Sequence, residues 1–175
     1  MPDEPAEFDP TAILRVLVAY EVKFVVVGGV SGNLHGSTTL TEDIDIAYAR
    51  DRENLERLAS ALRELRATLR GAPKDLPFKL DAATLRAGLN FTFSTRLGPL
   101  DCIGEAAGGF TYDNLVGNAE PYPLSGMRVV AASLDDLIRM KRAAGRIKDR
   151  IEVENLSALR EVRDKKRRRV SPRLS

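Results

Sequence analysis

Residues 24–48 read FVVVGGVSGNLHGSTTLTEDIDIAY, and this stretch decides the fold. Phe24, Val25, Val26 and Val27 form an unbroken apolar run, the pattern of a strand buried on both faces. Gly28 and Gly29 then remove side chains where the backbone turns sharply into a short helix, so that a phosphate could approach bare N–H groups. A polar loop follows, and Asp43-Ile44-Asp45-Ile46 enters a second strand. A strand alternates its faces, so the two aspartates share one face while the isoleucines enter the core. Neighbouring carboxylates repel unless a positive charge lies between them. Aspartate oxygens suit Mg²⁺, which keeps several waters and is completed by substrate phosphates.

Working outward, the chain has 175 residues, 43% hydrophobic and 30% charged, a balance that suits one domain with a real core. Its net charge of +2 gives no strong global attraction to nucleic acid. Met1 to Asp9 is acidic and carries neither a basic nor an apolar leader segment, and no apolar run reaches membrane-spanning length. Cys102 stands alone, which excludes an intrachain disulfide and fits a reducing cytoplasm. The expected organisation is a flexible N-terminus over 1–8, a single domain over 9–162 and a basic, disordered tail over 163–175.

Asp9 and Pro10 predict the start of a first helix. Asp51 predicts the cap of a long amphipathic helix whose stripe runs Leu55, Leu58, Leu62, Leu65 and Leu69. A short helix is expected over 81–87, then strands over 89–94 and 97–103. Residues 104–118 read as an irregular Gly-rich excursion, either a lid or a surface loop. Strands over 122–124 and 127–131 close the sheet. Ser133 and Asp136 form a capping-box pattern for a further helix, and a last helix is expected from about 148 to 162.

In Val27, Gly28, Gly29, Asp43, Ile44, Asp45 and Ile46 the sequence resembles the nucleotidyltransferase superfamily with the polymerase-beta-like fold. The resemblance implies an α+β fold, a mixed β-sheet flanked by helices with a helical C-terminal end. It also implies transfer of NMP from an NTP to an acceptor hydroxyl, with two Mg²⁺ ions engaged when NTP is bound. Asp43 and Asp45 would be metal ligands, and Asp101, alone among apolar neighbours on its strand, would be the third carboxylate. The plainer alternative for Asp101 is an edge-strand or turn aspartate.

The segment SLDDLIRMKRAAGRIKDRIEVENL (133–156) resembles nucleotidyltransferases of the AbiEii abortive-infection type, in which a helical Lys lies near nucleotide phosphates and a later Asp near the active site; Lys141 and Asp149 match them. This second likeness implies a toxin–antitoxin setting, with tRNA, other RNA or protein as acceptor and an antitoxin as partner. Relatives often carry a basic residue where this chain has Thr39, so a binding module without catalysis is the alternative reading. Ser37 and Thr41 offer hydroxyls either to phosphate or to local turns. His35, the only histidine, is expected to cap the short helix. Lys165, Lys166, Arg167, Arg168, Arg169 and Arg173 make the tail either a solvated run or a contact for RNA backbone.

Overall fold

The computed structural model describes residue 4 and residues 6–170. In chain order the elements are α1 (Pro10–Ala19), β1 (Phe24–Val27), α2 (Gly28–Leu34), β2 (Ile44–Tyr48), α3 (Arg52–Glu64), β3 (Thr68–Leu69), α4 (Ala82–Ala87), β4 (Asn90–Thr95), β5 (Gly98–Ile103), α5 (Tyr112–Val116), β6 (Glu120–Leu124), β7 (Met127–Ala131), α6 (Leu134–Ala144) and α7 (Ile147–Val170). The strands form one mixed sheet in the order β3-β4-β5-β2-β1-β7-β6. Its parallel contacts are β2 with β5 and β1 with β7.

The sheet lies between two helical layers because its central strands are apolar on both faces. All four residues of β1 are buried. Val26, Ile44 and Ile46 pack with Ile13, Leu14 and Leu17 of α1 and Leu55, Leu58 and Leu62 of α3. Val25, Val27 and Ala47 face the other way, onto Leu115 of α5, Leu137 and Ile138 of α6 and Leu156 of α7. Asp45 alternates with Ile44 and Ile46, and so belongs to the face that α6 and α7 cover.

Four expectations change. The Leu stripe leaves the helix after Glu64: Leu65 is the C-cap, Arg66 takes φ 51°, and Thr68 and Leu69 become an edge strand, since a non-glycine residue in the left-handed region ends α-helical geometry. Residues 104–118 contain a helical turn, α5, where Thr111 and Asn114 close a capping box that seats the buried Leu115. Ser133 caps α6 as expected, but the Asp136 carboxylate turns to Asn118 and Arg139 instead. The last helix runs on to Val170, so the basic segment is helical over 163–170; residues 171–175, with Arg173, lie outside the described residues.

At the other end, Phe8 packs against the core beside Gly98, and the Asp9 N–H donates to Leu97 O at 2.9 Å. Phe8, expected within a flexible N-terminus, is half-buried; residues 1–3 and 5 lie outside the described residues. No helix among the described residues is long and apolar enough to cross a membrane.

Candidate active site

The site starts from register. Asp45 pairs with Val27 across the antiparallel β1–β2 contact and with Asp101 across the parallel β2–β5 contact. Asp43 precedes β2 by one residue and reaches the same face. The three half-buried carboxylates each offer an oxygen within 4.8 Å of the others. Sequence spacing alone had joined Asp43 to Asp45; the parallel pairing of two strands far apart in the chain adds Asp101.

Gly28 and Gly29 make this packing feasible. Gly28 has φ 66°, and a Cβ there would collide with the Asp45 carboxylate; a Cβ on Gly29 would collide with the Thr41 methyl. Both glycines therefore serve close packing of α2 against the site, and both line the clefts around it.

The charge of the triad shows in its proton affinity. Burial, followed by repulsion from Asp43 and Asp101, pushes the Asp45 carboxyl up to about 7. Burial and the Asp101 charge also raise Asp43. Three hard oxygen donors in a half-buried, self-repelling cluster fit a Mg²⁺-like cation.

Cations approach from the helical layer. Lys141, in the last turn of α6, places Nζ 3.5 Å from Asp149 Oδ1. Asp149 is fully buried. It accepts from the Arg146 N–H at 3.1 Å and from Arg146 Nε at 2.6 Å and Nη2 at 3.2 Å. Burial would raise the Asp149 carboxyl, yet the hydrogen bonds from Arg146 and the Lys141 charge hold it below the ordinary range. Asp149 thus organises the two cations and stands behind them. The turn between α6 and α7 is made by Gly145, whose φ of 67° provides the left-handed cap.

Two clefts meet at Asp45 and Asp101. The polar one, about 680 Å³, is lined by Thr41, Asp43, Lys141, Arg146, Lys148 and Glu152. The apolar one, about 400 Å³, is lined by Phe91, Ile103, Ala106, Leu137, Met140 and Ala144. Thr39 lacks the positive charge expected of its place, but Lys141, Arg146 and Lys148 face the same polar cleft from the opposite wall. Thr39 instead donates to Glu152 Oε1 at 2.7 Å, tying the loop to α7.

The remaining candidates divide. Thr41 lines the polar cleft, whereas Ser37 accepts from the Thr39 N–H at 3.3 Å and bonds its hydroxyl, a local turn role. His35 is the C-cap residue of α2, but its ring looks outward from that helix, with Nε2 2.7 Å from Ala132 O and Nδ1 2.7 Å from the Tyr122 hydroxyl. Cys102 is buried, and burial pushes its thiol far up, as suits a core residue.

Three residues escaped the sequence reading, Lys148 of the polar cleft being one. Arg70 follows β3 and places Nη2 2.6 Å from Asp101 Oδ1; read as the end of a helix, it carried no signal. Arg146 had one, since it stands just before a helix with Asp149 three residues on, a capping interval.

No family model and no curated protein matches the sequence. Among solved structures, the fold is similar to the lincosamide antibiotic adenylyltransferase LnuA bound to lincomycin (13% identity over 87% of this chain and 99% of that one, TM-score 0.56). It is also similar to ANT(2")-Ia in complex with adenylyl-2"-tobramycin (15% identity, 92% and 98% covered, TM-score 0.54). A third likeness is to TM1012 of Thermotoga maritima, provisionally assigned as a nucleotidyltransferase (18% identity, 91% and 97% covered, TM-score 0.51). At these identities the likeness is one of fold alone: the chain shares the fold of these three structures.

Proposed function

We propose that the protein is a nucleotidyltransferase that moves NMP from an NTP to an acceptor hydroxyl, with release of pyrophosphate. The observation that carries this reading is the convergence of Asp43, Asp45 and Asp101 within 4.8 Å at the junction of a cation-walled cleft and an apolar one. Asp43, Asp45 and Asp101 would hold Mg²⁺, two ions when NTP is bound. The metal, when bound, supplies positive charge that offsets the charge developing on phosphate and acceptor oxygens. Lys141, Arg146 and Lys148 bind the phosphates in the polar cleft, with Asp149 fixing the first two. Asp101 accepts the proton of the attacking hydroxyl. Gly28, Gly29 and Thr41 shape the wall against which the phosphates lie.

A change in melting temperature is the direct test, because a ligand that binds only the folded chain raises it. One of the four NTPs should raise it in a Mg²⁺-dependent way, and Asp43→Asn with Asp45→Asn should abolish the rise. No rise with any NTP at millimolar concentration would return the weight to the binding-module reading.

For the acceptor we favour RNA. Lys165, Lys166, Arg167, Arg168 and Arg169 are all exposed on the last turns of α7, while Arg160 and Arg163, nearer the body, are paired with Asp135 and Glu120. A polyanion relieves the repulsion among five successive cations. The resemblance to AbiEii-type proteins adds tRNA or protein as acceptor, an antitoxin partner and a toxin–antitoxin setting, and the lone Cys102 fits a cytoplasmic place. A small-molecule acceptor is the second reading, favoured by the apolar cleft beside the triad and by the antibiotic chemistry named for LnuA and ANT(2")-Ia. Labelled NTP incubated with total cell RNA separates the two: label in RNA supports the first, and label only in small molecules or protein rejects it.

A further inference from the structure

We infer that Arg70 is the positioning residue for Asp101, holding one carboxylate oxygen so that the other is presented to the reacting atoms. The inference rests on the nucleotidyl-transfer reading of this site, and concerns how its third carboxylate is set.

The sheet itself builds the contact. The Arg70 N–H donates to Thr92 O at 2.9 Å, and Thr92 of β4 is the register partner of Asp101 on β5. The Arg70 side chain therefore starts one strand beyond β4 and crosses it. Its Nη2 donates to Asp101 Oδ1 at 2.6 Å and to Phe93 O at 2.8 Å. The guanidinium is fixed at both ends, by backbone at its root and by backbone and carboxylate at its tip. The row Thr92, Asp101, Asp45, Val27 runs across the four strands β4, β5, β2 and β1, and Arg70, just past the end of β3, closes its outer end.

Three observations make this more than an ordinary ion pair. First, among the described residues no other cation forms an ion pair with the triad, since Lys141 and Arg146 are both spent on Asp149. Second, Arg70 Nε is buried without a hydrogen-bond partner. A guanidinium placed for its own satisfaction would not leave that donor unpaired, so reach to Asp101 sets its position. Third, Oδ1 of Asp101 accepts from Arg70, the one cationic side chain that donates to this carboxylate among the described residues. The Arg70 contact restrains rotation of the carboxylate, whose other oxygen would meet a cation or an acceptor hydroxyl. A proton-accepting oxygen must keep its distance and direction to a few tenths of an ångström, and a planar, permanently charged fork provides that better than an ammonium.

The test uses Arg70→Met, which keeps the stem of the side chain, and Arg70→Lys. We expect Arg70→Met to lower kcat by about 10- to 100-fold with KM for NTP within about twofold, because loss of an outer contact to a ligand typically has that size. Arg70→Lys should recover part of kcat. Mn²⁺ binding to the pure protein should be unchanged or tighter in Arg70→Met, since a positive charge has left the cluster. A kcat within twofold of the parent overturns the inference. So does loss of Mn²⁺ affinity in parallel with kcat, which would mean that Arg70 only supports the fold of the site. A crystal structure of Arg70→Met is independent of turnover: Asp101 with its carboxylate rotated or in two orientations supports the inference, and Asp101 unmoved overturns it. That readout stands even where the parent transfers no nucleotide, so failure of the activity reading and failure of this one are distinguishable.

Discussion

Asp45 and Asp101 are register partners on the parallel strands β2 and β5. Adjacent strands lie about 4.8 Å apart, so the backbone forces these two carboxylates together, with no freedom to part except by side-chain rotation. Asp43 adds a third charge to the same face. In the absence of a cation the arrangement opposes folding, and that tension can be measured.

Asp45→Asn should therefore uncouple stability from activity. The amide nearly conserves shape and removes one buried charge from the cluster. We expect the metal-free variant to melt above the parent at pH 8, while NTP turnover falls by roughly 100-fold or more. Scanning calorimetry and a pyrophosphate-release assay check the two halves, and a variant that melts lower would show that the triad is not strained.

The pH dependence has a definite sign. Asp45 is pushed up to about 7 in the folded chain, chiefly by burial, against an ordinary value near 3.8. Between those two values the folded state holds a proton that the unfolded state has released. Its contribution to stability is full below about pH 4 and is lost as pH rises through 7. The difference in melting temperature, Asp45→Asn minus parent, should widen as pH goes from 4 to 8 without metal. Taking the difference cancels the other titrating groups, His35 among them. A difference that stays flat over this range rejects the shift.

Asp149 is expected to act on both binding and stability. Asp149→Ala releases Arg146 and Lys141 and empties a buried position. Loss of a charged, hydrogen-bonded partner costs about 1–3 kcal/mol, and KM for NTP should rise because the two cations are no longer held toward the polar cleft. Lys141→Met should raise KM similarly while sparing stability. Urea titration and steady-state kinetics on the pair separate the roles; equal destabilisation by both would contradict the assignment.

His35 should prove structural. His35→Phe keeps an aromatic ring of similar size and leaves the Ala132 carbonyl without its side-chain partner, while the Tyr122 hydroxyl keeps only Glu120. The expected cost is about 1–3 kcal/mol with kcat unchanged at a temperature where the variant is folded. A large loss of kcat in a fully stable variant would place the imidazole in the chemistry.

The sequence made the centre of the fold legible because its signals were local. FVVV, GG and DID each announce a strand, a turn or a face within a few residues, and Asp9, Asp51, Asp81 and Ser133 all cap the helices expected of them. What it left open was decided at a distance. Arg70 reaches Asp101 only after Arg66 has broken the helix and Thr68–Leu69 has joined the sheet edge, and no periodicity foretells a left-handed arginine. The cations that stand in for a basic residue at Thr39 come from residues 141–148, across a cleft that exists only when α6 and α7 fold over β2. The tail read as disordered by composition is helical over 163–170 because it continues a helix already anchored by Leu156 and by Arg160 and Arg163.

That helix has a mechanical meaning. α7 is one 24-residue rod whose first turn carries Asp149 and, one turn on, the Glu152 that grips the Thr39 loop. Its cationic turns begin at Lys165, about 25 Å from Lys148 at 1.5 Å per residue. Held to the body by Leu156, Arg160 and Arg163, the rod does not swing, and its cationic turns keep a fixed reach from the carboxylates.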